Sequence, residues 1–275
     1  MLTNTSQLDF RVIKFPNSSI MTSDAQILRR VGKVIRRPSL VVDRIAWLAA
    51  RYRNYREMKV ELAEMRKQYW SRASFNEQVD VVLNHKVLGA VQKPREIIGL
   101  LQMLQKDPPR YVCEIGTASG GTLFLLAQVS RPDALLLSVD LGLTRERTLV
   151  HARFANRKQR IISVRGDSRA PETIARVRRL LRGKPLDLLF IDGDHTYEGV
   201  KADFVNYSPL VRKGGLIVFH DIVTDFQTRY GKQIPNAPYT GDVPVFWQEI
   251  KAGHKTSEII EDPEQDGYGI GIVYS

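Results

Sequence analysis

From residue 95 to its end the chain alternates short apolar runs with amphipathic ones, and no other feature constrains the fold as much. Residues 95–105 read as a helix that Asp107-Pro108-Pro109 stops. Tyr111–Ile115 reads as a strand, followed by a glycine-rich turn and an apolar helix from Thr122. Four further strands fall at 134–139, 161–164, 186–191 and 216–220, with helices at 170–181, 197–210 and 245–252 between or after them. Residues 257–260 and 269–274 form a closing edge hairpin around the loop 262–267. Strands separated by helices pair in parallel and are covered on both faces. The pattern therefore predicts an α/β fold: a doubly wound, mostly parallel, seven-stranded sheet.

Ahead of this pattern the chain is different. Residues 1–37 carry breakers such as Pro16-Asn17 and no sustained period, and read as an arm. Pro38-Ser39 then opens a long helical segment, to about Trp70, free of Gly and Pro beyond its start. The expected division is a basic, mainly helical extension over 1–87 and a catalytic domain over 88–275. Of the +11 net charge, residues 1–80 supply +7, from 15 Lys/Arg against 8 Asp/Glu. An amphipathic segment of this kind packs on its own domain or on a twin subunit, giving a homo-oligomer. The other reading is peripheral contact with an anionic membrane through residues 38–70. Nucleic acid is disfavoured as a partner, because the excess charge sits outside the catalytic part and no RNA-binding module is recognisable. The single cysteine, Cys113, excludes a disulfide framework and multi-thiolate zinc. With no run near the ~18–20 apolar residues of a bilayer span, the expected location is the cytoplasm, peripheral to the inner membrane face on the second reading.

In an open parallel sheet ligands bind beyond the carboxyl ends of the strands. Those ends read Glu114-Ile-Gly116-Thr117-Ala118-Ser119-Gly120-Gly121-Thr122, then Asp140, Asp167-Ser168, Asp192-Gly193-Asp194-His195 and His220-Asp221. Carboxylates gathered at one rim repel unless a ligand or cation offsets them. The glycine turn reads GxxxGG rather than the dinucleotide GxGxxG, which disfavours a nicotinamide enzyme. Asp140, at the end of the second strand, suits a ribose diol or, alternatively, a helix N-cap.

The stretches EIGTASGGTLFLL, SVDLG, RGDS and FIDGDHTYEGVKADFVNYSPLVRKGGLIVFHDI resemble class I S-adenosylmethionine-dependent methyltransferases. The branch they resemble holds cephalosporin-hydroxylase-like proteins and macrocin-type sugar O-methyltransferases, over roughly residues 88–275. The resemblance implies a Rossmann-like methyltransferase fold, S-adenosylmethionine as cofactor and a hydroxyl of a small molecule or glycan as acceptor. It implies that Glu114, Gly116, Ser119, Gly120 and Thr122 surround the methionine portion and that Asp140 holds the ribose. It further implies that Asp167 and Ser168 meet the adenine, while Asp192 sits beside the sulfonium. In metal-using members the acids after the fourth and fifth strands hold a divalent cation such as Mg²⁺. Here the corresponding set is Asp192, His220 and Asp221. Because Mg²⁺ prefers oxygen donors, the histidine implies a different ion or a weakly held one.

Methyl transfer to oxygen requires the acceptor hydroxyl held in line and relieved of its proton. His195 lies where catechol-type relatives carry a lysine base, and Asp194, Asp192 and His220 are the other candidates. Each has a plainer reading: His195 and Asp194 as helix caps, Tyr197 as a core aromatic, Lys213-Gly214-Gly215 as a turn. His151 and His254 read as surface or packing residues, and Cys113 as a buried inert thiol. Gln92 and Glu96 are expected to contribute to the site from the preceding segment, and residues 224–240 to form an acceptor lid.

Overall fold

The computed structural model describes residues 38–156, 158–231 and 239–275. The arm expected over 1–37 lies outside them. Contacts divide the chain between Ala50 and Arg51, and the long helix α1 (Pro38–Ser71) runs through that point.

Among the described residues seven strands form one sheet: β1 (Tyr111–Ile115), β2 (Leu135–Asp140), β3 (Arg160–Arg165), β4 (Leu186–Ile191), β5 (Val211–His220), β6 (Thr256–Ile259) and β7 (Ile270–Tyr274). Their order is β3-β2-β1-β4-β5-β7-β6. The first five are parallel, while β7 runs antiparallel to β5 and β6 antiparallel to β7, as the alternation predicts. Strand order reverses between β1 and β4, so the loops after these two strands open the crevice in which such sheets bind ligands.

Side chains alternate across each strand, which sorts the core into two faces. On one, Val112, Leu136, Leu188, Phe190 and Val218 meet α3 (Pro94–Lys106) and α4 (Gly121–Val129) through Leu100 and Phe124. On the other, Cys113, Ile115, Leu137, Leu189 and Phe219 meet α6 (Pro171–Leu181), α7 (Tyr197–Tyr207) and α9 (Val243–Gly253), whose Trp247 is wholly buried. Two short helices complete the described residues, α5 (Arg145–His151) and α8 (Phe226–Tyr230), with α2 (Phe75–Leu83) ahead of the sheet.

Helices α2, α5 and α8 have no counterpart in the sequence reading. For α2 the signal was present: Ser74 and Glu77 form a reciprocal capping box, Glu77 N–H to Ser74 Oγ at 3.2 Å and Ser74 N–H to Glu77 Oε2 at 3.1 Å. Val79 and Val82 of α2, with Met58, Leu62, Met65 and Tyr69 of α1, join the core face of α3 and α4. Residues from Arg51 on are thus one compact unit with the sheet. In the other unit Val42, Ile45 and Leu48 of α1 are exposed. Strand β5 begins at Val211 and passes through the expected turn Lys213-Gly214-Gly215 as an irregularity, with Gly214 at φ +75°. No helix among the described residues is long and apolar enough to cross a membrane.

Candidate functional site

The loop after β1 is built on glycine for a steric reason. Gly116 has φ +84°, and a Cβ there would stand 1.7 Å from the Asp192 carbonyl oxygen. Backbone bonds lock the junction: Asp192 N–H to Ile115 O at 2.8 Å and Gly116 N–H to Val139 O at 2.9 Å. Ala118 is held at φ +45° and Gly120, the N-cap residue of α4, at φ +96°. Thr122 is buried in the first turn of α4. Asp140 Oδ2 accepts the N–H groups of Thr117 (3.0 Å) and Ala118 (2.8 Å), and its Oδ1 accepts Gly142 N–H at 2.6 Å. Asp140 therefore organises the loop; the cap of the next helix, α5, is Thr144.

A cavity of about 280 Å³ opens at the ends of β1, β2 and β3, lined by Gly116, Asp140, Asp167, Ser168, Arg169 and Asp194, among others. Asp167 accepts the Arg169 backbone N–H (2.9 Å) and its guanidinium (3.2 and 3.3 Å). Those bonds hold the Asp167 carboxyl below its usual range. Arg169 also reaches Asp194 Oδ2 at 3.2 Å. Asp194 Oδ1 accepts Thr196 N–H at 3.0 Å, while Thr196 itself caps α7. Asp194 thus lines this cavity, and the structure does not bring it to the side where His195 and Asp192 meet. The Asp203 carboxylate is buried beside Gly193, and burial, opposed by the Ser168 hydroxyl, pushes it up to about 6.

A second cavity, about 360 Å³, shares Gly116, Asp140 and Gly193 with the first and is also lined by Val91, Asp192, His195, His220, Asp221, Tyr239 and Tyr268. Here four of the expected residues converge. His195 Nε2 lies 3.6 Å from Asp192 Oδ1 and 3.5 Å from Asp221 Oδ2. His220 Nδ1 lies 3.3 and 3.1 Å from the same two atoms, on the buried side. The backbone carbonyl of Tyr239 accepts from His195 Nδ1 at 2.8 Å, which aims Nε2 at the carboxylates. Hydrogen bonding to Asp192, opposed by burial and aided by the Asp221 charge, pushes His195 up to about 9. For His220 burial works downward, but the two carboxylates win and push it up to about 10. Burial favours neutral Asp192; the two imidazoles outweigh it and keep the group below the usual carboxylate range. Asp221 sits at φ +62°, a strained backbone typical of functional positions. Ligand atoms of Asp192, His195 and Asp221 all lie within 4.8 Å of one another.

Several buried polar atoms at this rim have no hydrogen-bond partner: both Glu114 oxygens, Thr117 Oγ1, Gln92 Oε1 and His220 Nε2. Native interiors leave few such atoms, and clustered ones point to a ligand that completes them. Burial, opposed by the nearby Thr117 hydroxyl and aided by repulsion from Asp192 and Asp140, pushes Glu114 up to about 8. Gln92 touches the site through Nε2, 3.4 Å from Asp192 Oδ2. Glu96 does not: its carboxylate accepts from Gln265 Nε2 (2.7 Å), Gly269 N–H (2.8 Å) and Glu261 N–H (3.2 Å), tying α3 to the 261–269 loop. Tyr197 packs edge-on against Phe246, and the Cys113 thiol is pushed up by burial. Part of the expected lid, residues 232–238, lies outside the described residues. Sequence reasoning missed Arg169, and it read His151 only as a surface or packing residue, since the partners of His151 come from another strand and loop.

Residues 113–222 match a family model described as a methyltransferase domain. An O-methyltransferase from Bacillus cereus, solved in complex with SAH, superposes with a TM-score of 0.52 at 19% identity, covering 74% of this chain and 92% of that one. That likeness shows a shared fold, the Rossmann-like one of that methyltransferase. An uncharacterised protein of Acanthamoeba polyphaga mimivirus is 34% identical over 128 residues, 44% of this chain and 55% of its own length. Mycinamicin VI 2''-O-methyltransferase of Micromonospora griseorubida is 29% identical over 110 residues, 40% of this chain and 27% of its own. The chain spans about half the length of the first relative and about a quarter of the second.

Proposed function

We propose that the protein transfers a methyl group from S-adenosylmethionine to a hydroxyl of a small molecule or glycan. The observation that carries this reading is the pair of adjoining cavities at the β1/β4 switch point, one walled by Asp140, Asp167 and Ser168, the other by the Asp192–His195–His220–Asp221 cluster. The unsatisfied Glu114, Thr117 and Gln92 atoms fit the charged amino-acid end of the cofactor, and Asp140 and Asp167 fit its ribose and adenine. When bound, that cofactor supplies an electrophilic methyl on a sulfonium. The acceptor lies against Val91, Tyr239 and Tyr268, and its hydroxyl proton passes to His195 Nε2 once that imidazole has released the proton that Asp192 and Asp221 hold on it up to about pH 9. The donor set of two carboxylates and one imidazole also fits a divalent cation. Held by Asp192, His195 and Asp221, such an ion would lower the pKa of the acceptor hydroxyl. The exposed apolar residues Val42, Ile45 and Leu48 support pairing of the 38–70 segment with a twin subunit or an anionic membrane.

The direct test is calorimetric titration with S-adenosylmethionine and SAH. Micromolar binding is expected; no heat up to millimolar cofactor ends the proposal.

A further inference from the structure

We propose that α5 sets the shape of the cofactor loop from outside the cavities, with Arg147 and His151 as positioning residues that hold two successive loop carbonyls. The proposal rests on the reading of residues 116–120 as the seat of S-adenosylmethionine. Four positions apart on one helix, the two side chains lie on the same face. Arg147 Nη1 donates to Ala118 O at 2.9 Å, and His151 Nε2 lies 3.3 Å from Ser119 O. From the other side Asp140 accepts the N–H groups of Thr117 and Ala118. The loop is therefore gripped by its donors and its acceptors at once. Ala118, at φ +45°, occupies a left-handed conformation that an alanine adopts only where its surroundings over-determine it.

His151 is wholly buried, and its partners fix its tautomer. A carbonyl only accepts, so Nε2 carries the proton and donates to Ser119 O. Nδ1 then accepts from Ser163 Oγ at 3.3 Å, and Ser163 accepts from Ser138 Oγ at 2.9 Å. Burial keeps this imidazole neutral, pushed down to about 4. The ring also fills the space beside Gly120, where a Cβ would stand 2.6 Å from Nε2. A line of hydrogen bonds thus runs from the β2–β3 floor of the sheet to the loop.

The test is SAH affinity by calorimetry, with steady-state kinetics, on wild type, His151→Leu, His151→Gln and Arg147→Ala. His151→Leu should weaken SAH roughly tenfold and Arg147→Ala by about threefold, the scale of one lost hydrogen bond each. His151→Gln, whose amide can donate to the same carbonyl, should recover most of the loss. The Michaelis constant for S-adenosylmethionine should rise in step while kcat at saturation stays within about twofold, as expected for lost uniform binding. Unchanged affinity in both truncations overturns the clamp, as does a fall in kcat at constant KM. Should His151→Leu fail to fold, Arg147→Ala decides alone, and wild-type affinity there overturns the proposal. A wild type that binds no SAH instead overturns the reading of the loop itself.

Discussion

Glu114→Gln separates the electrostatics of the site from its shape. The carboxyl is wholly buried, neither oxygen has a partner, and its pKa stands at about 8 against an ordinary 4.5. An acid whose folded pKa is raised stabilises the fold below its unfolded pKa and loses that contribution as pH rises through the folded value. The window is therefore pH 4.5 to 8, and within it wild-type stability should fall by about 1.4 kcal/mol per pH unit from this one group. The shift of roughly 3.5 units totals about 5 kcal/mol once both states are ionised. Glutamine keeps the shape and cannot ionise, so the variant lacks this slope. Other carboxylates titrate alike in the two proteins and cancel in the difference. Urea denaturation of both at pH 5.5 and pH 7.5 should show the variant gaining roughly 2–3 kcal/mol on wild type over those two units. Parallel profiles, differing by less than about 0.5 kcal/mol across the range, would refute the claim that Glu114 is neutral in the folded protein.

Asp140→Ala should weaken S-adenosylmethionine binding by about 1–3 kcal/mol, read by calorimetry, because it removes the proposed ribose partner and frees three backbone N–H groups together. Wild-type affinity would remove Asp140 from the cofactor site. Asp192→Ala should abolish methyl transfer while the circular dichroism spectrum stays native, and an active variant would discard the proposed centre. Glu96→Ala should cost about 3 kcal/mol or more by leaving the three donors on the 261–269 loop unpaired, yet leave cofactor affinity unchanged. Lost affinity at native stability would place Glu96 in the site after all. Dialysis against a chelator should lower turnover, with Mn²⁺ restoring it better than Mg²⁺ because of the imidazole donor; the opposite order would exclude His195 as a ligand.

The strands and their mostly parallel pairing are legible in the sequence because apolar runs such as LDLLFI suit a sheet covered on both sides. The acidic strand ends are legible for the same reason: topology alone delivers Asp140, Asp192 and Asp221 to one rim. What escapes is anything decided by side-chain direction. Asp194 and Thr196 are equally good caps by composition, and only the local backbone makes Thr196 the cap and turns Asp194 toward Arg169. His195 and His220 look interchangeable as ligands, yet Tyr239 O aims one at the carboxylates while the other lies beneath them. Helix α5 is seven residues long, too short to show a period, and the partners of His151 sit on β3, at Ser163, and in the loop after β1, at Ser119.

The contact of Gly116 with the Asp192 carbonyl leaves no room for even one carbon between the loop proposed to seat the methyl donor and the strand end that carries Asp192. The reach of transfer is consequently set by backbone touching backbone, a ruler that no side-chain exchange can lengthen. Diversification of this scaffold toward new alcohols has to proceed along the opposite wall, at Val91, Tyr239 and Tyr268, where bulk can be traded without moving the donor.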